Sequence, residues 1–563
     1  MPLHLTDTSF LCLRYDFRGL NSVDKIYDLC YNIRICIAEI VIRMMKRRIQ
    51  YMYTFDQNSE LTIPRDPLPL VKENCFLSLS PQEDPLPIFD DVKDALPRPI
   101  WDGHSDHIDA YYKAWEIAFG NLRRALPNTG FVSNYIDTAF NNHIFMWDSC
   151  FILMFGKYAD KIFRFQNTLD NFYSHQHRDG FICRAISEGL GTDRFTRYDP
   201  SATGPEVMPW CEWEYYLNFN DKDRLQKVFA PLMAYHRWMK AHFTWRDGSY
   251  FSTGWGCGMD NIPRQSEGYD AGFSHGHMVW VDSCMQELLS CKILLKMTKA
   301  IGRNEFEDEL TQEAELLERI INEKLWDEES GFYYDLWRNE EHNGVRHIGA
   351  FWALLAGCAS EEKVERLIAY LNDENEFKTP TRVPSLSRSN AHYVPQGGYW
   401  LGGVWAPTNY MVLKGLDQHE KYSFSHEIGR EYLDAVVAVY RESNTFFENY
   451  APELVSGKAS AGKPSKSDFV GWTGLVPISV LFEYVFGIKP HAEQNRILWD
   501  VELLEKHGVE KYPFGKNGEL TLVCEARSNA SEMPRIRLES NVPVELEIIW
   551  GESDKKQSMV LRK

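Results

Sequence analysis

Apolar residues recur at helical spacing through the middle of the chain. Between residues 106 and 127, the side chains of Ile108, Tyr111, Trp115, Ala118 and Leu122 fall on one stripe that ends before Pro127. Spacings of three and four place apolar side chains on one face of a helix. The same pattern predicts helices over 221–243, despite its internal proline, and over 305–326, 282–299, 361–372, 405–416, 424–441 and 472–486.

Long segments rich in glycine and aromatic residues separate these helices. They cover 127–147, 180–210, 248–278, 388–404 and 443–471. Loops of this length inside a compact domain are usually functional. Because they recur after every second helix, we predict helical hairpins whose loops open at one end. The expected fold is mainly α, an (α/α)6 barrel over residues 101–490.

The two ends of the chain carry other patterns. Residues 1–100 are predicted to form an N-terminal extension followed by a proline-rich arm. Beyond residue 490 the helical period is replaced by the alternating segments GELTLVCEA, RIRLES, VELEIIWG and QSMVLRK. Residues 491–563 are therefore predicted to be a linker and a small β-strand domain.

Composition narrows the possible partners and the compartment. The chain of 563 residues has a formal net charge of −19, which disfavours nucleic acid as a partner. It has no run of 18 apolar residues, so no membrane partner is expected. The 12 cysteines are scattered without a C-x-x-C pair or Cys/His metal spacing. We predict a cytoplasmic protein without cofactor or metal, and the oligomeric state stays open.

Two isolated acids lie in the long loops. Asp260 stands in SYFSTGWGCGMDNIPR and Glu448 in NTFFENYAPE, each among glycines and aromatic residues. Between and after them come QGGYWLGGVWAPTNY and FVGWTGLV. Each acid alone also fits a structural part, a turn or cap for Asp260 and a surface ion pair for Glu448. Their occurrence together favours glycoside hydrolysis, in which one carboxyl protonates the leaving oxygen while the other activates water or attacks the sugar.

The order of these motifs resembles glycoside hydrolase family 63, which shares its clan with the trehalases. FMWDSCF and LWDEESGFYYD also match segments of that family, and the resemblance covers about residues 101–490. It implies an (α/α)6 barrel and an inverting mechanism, with Asp260 as general acid and Glu448 as general base. The residues it implies for the sugar pocket are Trp147, Asp148, Trp255, Arg264, Trp400, Trp405, Tyr450 and Trp472.

The function expected from these observations is that of an inverting, exo-acting α-glycoside hydrolase with a carbohydrate substrate. An α-glucosidase acting on oligosaccharides or small glucosides is the first candidate, and a trehalase or a mannosylglycerate-type hydrolase is the alternative. The chain has FNNHIFMWDS and DPSATGPEVMPW where trehalases carry P-G-G-R-F and N-R-S-Q-P-P, so strict trehalase activity is not expected. A catalytically silent sugar-binding barrel is the alternative from another class. The presence of both acids favours the enzyme.

Overall fold

The computed structural model describes residues 64, 66–81, 84–137, 141–265, 268–552 and 556–563. The predicted N-terminal extension and the first part of the proline-rich arm lie outside these residues. The described residues belong to the unit Pro64–Lys563.

Helices form the larger part of the secondary structure in this unit. They are α1 (Pro69–Glu73), α2 (Phe89–Val92), α3 (Ser105–Gly120), α4 (Met146–Gly156), α5 (Thr168–Tyr173), α6 (Met208–Phe219), α7 (Lys222–His242), α8 (Gly254–Cys257), α9 (Val281–Ile301), α10 (Glu307–Ile320), α11 (Trp352–Leu355), α12 (Glu361–Leu371), α13 (Ala406–Gln418), α14 (Tyr422–Ser443) and α15 (Val476–Val485). The last of these is wound as a π-helix. Among the described residues, no helix combines the length and the apolar character needed to cross a bilayer.

The predicted helices are confirmed, and several of them have a single apolar face. In α7 the stripe from Leu225 to Trp238 is buried, and the helix continues through Pro231. Helices α10, α12 and α14 likewise bury one face and expose the other. An amphipathic helix of this kind covers a core with its apolar stripe and meets solvent on the other side.

A second set of helices is buried almost all round. Every residue of α4 is buried, and α6, α9, α13 and α15 are largely so. Their contacts run in a closed circuit. Helix α4 packs on α6, α6 on α9, α9 on α11 and α11 on α13, while α13 packs on the short turn Trp472–Leu475, which returns to α4. The amphipathic helices pack outside this circuit, as α10 and α7 do on α9.

The strands gather mainly at the C-terminal end of the chain. They are β1 (Arg98–Trp101), β2 (Leu122–Arg123), β3 (Tyr135–Ile136), β4 (His143–Phe145), β5 (Ala185–Ser187), β6 (Trp326–Asp327), β7 (Phe332–Tyr333), β8 (Ile488–His491), β9 (Arg496–Val501), β10 (His507–Phe514), β11 (Gly518–Cys524), β12 (Ile536–Ser540), β13 (Glu545–Trp550) and β14 (Gln557–Arg562). The four predicted strands are confirmed as β11 to β14.

Two four-stranded sheets are built from these strands. One has the order β1-β10-β11-β12 and is antiparallel, with Trp101 opposite His507. The other has the order β14-β13-β9-β8, and its β13–β9 pair is parallel. Strand β1 spans the predicted boundary between residues 100 and 101, and β8 spans the predicted boundary at residue 490. Strands β8 and β10 contact α6, so the sheets share a core with the helices.

Candidate active site

A cavity of about 410 Å³ collects most of the residues that the motifs singled out. Its lining comprises Asn141, Phe145, Trp147, Asp148, Arg184, Arg194, Phe195, Gly204, Pro205, Trp255, Gly256, Gly258, Asp260, Tyr399, Trp400, Trp405, Glu448, Lys466 and Trp472. Of the predicted pocket residues, Arg264 and Tyr450 are not in this lining. Segments far apart in the sequence therefore meet at one concave site, which is where a ligand is expected to bind.

The loop that carries Asp260 begins with the single-turn helix α8. The Thr253 hydroxyl caps this helix by accepting a hydrogen bond from the Gly256 N–H at 2.9 Å. The helix ends at Gly258, whose φ of +76° favours glycine. A Cβ atom at this position would also lie 3.3 Å from the indole ring of Trp147. The glycines in this motif therefore let the chain turn sharply against a wall of the cavity.

Asn261 joins the Asp260 loop to the turn that carries Trp400. Its side-chain amide donates to the Gly398 carbonyl at 3.0 Å, and its side-chain oxygen accepts from the Trp400 N–H at 2.9 Å. The residue that follows the predicted acid thus fixes the distance between two loops of the site.

Glu448 is held through its backbone. Its N–H donates to the Lys466 carbonyl at 2.9 Å, and its own carbonyl accepts from the Trp472 indole N–H at 2.9 Å. The residue is only 4% exposed although it lines the cavity. Both neighbours lie on the following loop, so the Glu448 carboxyl is placed by the packing of two loop segments.

Three tryptophans form one wall of the cavity. The rings of Trp400 and Trp405 stack with centroids 4.2 Å apart and planes only 4° from parallel. The ring of Trp472 meets Trp405 edge-on at 5.8 Å. The Trp405 indole N–H donates to the Tyr399 carbonyl at 3.2 Å, which fixes its orientation. Stacked and hydrogen-bonded rings of this kind offer a rigid apolar surface with little freedom to move.

The carboxyl groups of the cavity have raised pKa values. Burial raises the pKa of Asp260 to about 6, although the nearby cations of Arg184 and Lys466 oppose this. Burial also raises the pKa of Asp148 to about 7, with Arg184 opposing and the charges of Glu448 and Asp260 adding. The pKa of Glu448 is raised by burial and by Asp260, and is lowered by Lys466. Near neutral pH, this group of acids can therefore hold both a proton and a negative charge.

Asp148 has an unused hydrogen-bonding position. It lies in the first turn of α4 and is 6% exposed. Its Oδ1 atom is buried without a hydrogen-bond partner among the described residues. An unsatisfied buried oxygen is costly, so a cavity ligand with a hydroxyl group is a natural partner for it.

Several lining residues were not predicted from the sequence. The Arg184 guanidinium lies 4.4 Å from the centroid of the Phe195 ring, and Arg194 lies 5.5 Å from the same ring. Tyr399 stands within the GGYWLGG motif, which was a usable signal, whereas Arg184, Arg194 and Lys466 stand in loop stretches without one. Their position beside the acids depends on how the loops meet.

Arg264 and Tyr450 lie behind the cavity. Arg264 is 2% exposed, donates two hydrogen bonds of 2.9 Å to Asp282 and lies 4.2 Å from the centroid of the Trp280 ring. Tyr450 exchanges two backbone hydrogen bonds with Val404, at 2.9 and 3.0 Å. The two residues support the loops of the two acids from outside the cavity lining, which differs from their expected place in the sugar pocket.

Side-chain groups that could hold a metal ion lie elsewhere in the described residues. His236, Cys291 and Glu313 form such a group, and all three are buried. The Lys240 ammonium lies 2.7 Å from the Glu313 carboxylate and already balances part of its charge. No residue of this group belongs to the described lining of the cavity.

The cavity brings together several carboxyl groups and a tryptophan wall, the side chains that glycoside hydrolysis needs. Residues 141–472 match the family described as the mannosylglycerate hydrolase MGH1-like glycoside hydrolase domain. The chain belongs to this family, and the resemblance to glycoside hydrolase family 63 is confirmed. The protein is a glycosidase.

Known relatives span several substrates. An uncharacterized protein of Borreliella burgdorferi is 25% identical over 68% of this chain and 80% of its own length. A probable mannosyl-oligosaccharide glucosidase of Schizosaccharomyces pombe is 25% identical over 42% of this chain, but the match covers only 29% of that protein. The structure of a GH63 mannosylglycerate hydrolase from Thermus thermophilus in complex with glucose aligns with a TM-score of 0.51 at 21% identity, covering 65% of this chain and 98% of that one. This likeness supports the fold.

Proposed function

We propose that the protein is an inverting, exo-acting α-glycoside hydrolase, with an α-glucoside as its first candidate substrate. Asp260 is the general acid and Glu448 the general base. The observation that carries this proposal is the convergence of both carboxyls, together with Asp148 and the stacked tryptophans, on one cavity.

The division of roles follows from the surroundings of the two acids. Asp260, with its pKa near 6, keeps a proton that it can give to the glycosidic oxygen as the bond to C1 breaks. Burial raises the pKa of Glu448 as well, and the Lys466 cation opposes this and favours the ionised form that a base needs. Glu448 takes a proton from water while the water oxygen bonds to C1 from the opposite face. The aglycone leaves with the proton of Asp260, and the free sugar carries the inverted configuration.

The closed circuit of buried helices supports the (α/α)6 barrel as the architecture around this site. In such a barrel the loops at one end surround a pocket. Here the tryptophan wall is buried, with Trp400 at 2% and Trp472 at 6% exposure. A pocket with a buried end accepts the terminal sugar of a chain, which is the reason for proposing exo action.

A mannosylglycerate-type hydrolase is the second candidate. Two residues of the described cavity lining are exposed, Arg194 and Lys466, and both are cations. The chain as a whole has a net charge of −19. Positive charge at the mouth of a cavity favours an anionic leaving group such as glycerate. The structural relative named above is a mannosylglycerate hydrolase.

A substrate panel with two variants tests both candidates. Nitrophenyl α- and β-glycosides, α-glucosyl disaccharides and mannosylglycerate are incubated with the wild type, and NMR follows the first anomer released. We expect the α-glycosides to be cleaved with inversion. Asp260→Asn should lose activity on disaccharides but keep it on α-glucosyl fluoride, which needs little protonation. Glu448→Gln should lose both activities unless azide replaces the activated water.

Two outcomes would overturn the assignment. A product that retains its configuration would require a nucleophile in place of a base. An Asp260→Asn variant as active as the wild type on a disaccharide would show that another group supplies the proton.

A further inference from the structure

A second aromatic surface lies on the side of the cavity that carries the proposed acid. Trp255 lines the cavity and is only partly buried. The ring of Phe273 packs against it with centroids 4.6 Å apart and planes 41° from parallel. Phe273 is nevertheless 47% exposed, which is unusual for a ring beside a polar cavity. Phe273 is not part of the cavity lining, so an exposed ring lies just outside the cavity against a ring that lines it.

The loop that carries Phe273 is fixed against the Asp260 segment. The Asp270 carboxylate accepts hydrogen bonds from the N–H groups of Gly272 and Phe273, both at 2.9 Å. The Trp255 N–H donates to the Gly272 carbonyl at 3.0 Å. A Cβ atom at Gly272 would lie 2.9 Å from the Trp255 indole nitrogen, so the close approach needs glycine. The exposed position of Phe273 is thus imposed by the backbone.

The position of this pair relative to the acid indicates which part of a substrate it meets. A general acid contacts the oxygen of the leaving group, so the aglycone must lie beside the acid. Trp255 and Asp260 stand on the same short segment, five positions apart, and both line the cavity. The buried tryptophans and Glu448 belong to other loops. They are therefore assigned to the sugar whose C1 is attacked, on the other side of the bond that breaks.

We propose that Trp255 and Phe273 form an acceptor-side subsite that binds the apolar face of a second pyranose ring. This inference rests on the proposed function and gives its aglycone a chemical class. Each of the two rings has a flat apolar face, and the apolar face of a sugar ring covers such a face well. The preferred substrates are then α-glucosyl disaccharides or longer oligosaccharides.

The test compares substrates with and without an aglycone sugar. We expect Phe273→Ala to raise KM about tenfold on the α-glucosyl disaccharide that the wild type cleaves best, the loss of about 1.4 kcal/mol of binding. Cleavage of α-glucosyl fluoride should not change, because the fluoride is too small to contact the Trp255 and Phe273 rings. Phe273→Trp keeps an aromatic ring at this position, so its KM on the disaccharide should match that of the wild type. Tyr269→Ala is the matched control, since Tyr269 is 43% exposed in the same loop and its ring contacts His277.

Binding to the Asp260→Asn protein makes the comparison without turnover. Calorimetry should show that Phe273→Ala weakens binding of the disaccharide and leaves binding of glucose unchanged. Equal losses for both ligands, or none for the disaccharide, would overturn the subsite. A wild type that cleaves none of the glycosides would instead overturn the proposed function, while the calorimetric comparison would still decide the subsite.

Discussion

Replacing Asn261 with alanine should separate the placement of the proposed acid from its chemistry. The Asn261 side chain makes the two hydrogen bonds that tie the Asp260 loop to the Gly398 carbonyl and the Trp400 N–H. Alanine removes both without adding charge or bulk. The Asp260 carboxyl then remains present, but its loop is no longer held at a fixed distance from the tryptophan wall.

The expected magnitude follows from the two bonds. A hydrogen bond contributes about 0.5–1.5 kcal/mol net, so their loss should cost about 1–3 kcal/mol of the free energy of unfolding. With about 2.1 cal/mol/K of unfolding entropy per residue, a chain of this size should lose only about 1–3 °C in Tm. The variant therefore stays folded at 25 °C. A shift of a catalytic group by about 1 Å can still lower the rate about a hundredfold.

The assay measures kcat on two substrates in the same preparation. We expect a large fall on a disaccharide, whose leaving oxygen needs the proton, and a small one on α-glucosyl fluoride. Asn375→Ala is the control, because Asn375 is exposed and, among the described residues, its hydrogen bonds go only to Asp373 in its own turn. Equal falls on both substrates would show general damage to the site. An unchanged kcat on the disaccharide would show that these hydrogen bonds do not position the acid.

Three further predictions concern pH, sugar binding and stability. The kcat/KM of the wild type should follow a bell-shaped pH profile, falling about tenfold per pH unit above about pH 6 because Asp260 must keep its proton, and falling in acid as Glu448 gains one. On the fluoride, Asp260→Asn should remove the alkaline limb, and a limb that stays would assign it to another group. Asp148→Asn should raise KM on fluoride and disaccharide alike, by about tenfold or more, because the lost contact is to the sugar held in common. Arg264→Met should lower the free energy of unfolding by about 3–5 kcal/mol because it leaves the buried Asp282 carboxylate unpaired, with KM unchanged in enzyme that remains folded.

Most helices that the sequence predicts meet solvent along one face, although α9 and α13 are predicted too and are largely buried. Helices such as α12 show a period because one face is buried and the other is not. Helix α4 was missed because all its residues are buried, so its sequence, MWDSCFILMFG, carries no alternation that a period could show. The same reason explains α6, where the polar residues Glu212 and Asn218 are buried too. Both helices belong to the closed inner circuit, which only the tertiary contacts reveal.

The candidate site shows a different limit. Residues in a motif share a loop, but the direction of each side chain depends on what lies behind that loop. Asp260 and Arg264 stand four positions apart in one motif, yet only the first lines the cavity, since Asp282 and Trp280 draw the guanidinium inward. Lys466 is the reverse case, a residue that lines the cavity without having been predicted. It belongs to no motif, but its charge lowers the pKa of both proposed catalytic acids, and its backbone carbonyl accepts the Glu448 N–H. The chemistry of the two acids therefore depends on a cation whose role follows only from the pairing of two loops. Asp260→Asn and Glu448→Gln test the acids themselves, whereas Asn261→Ala tests the contacts that position the Asp260 loop.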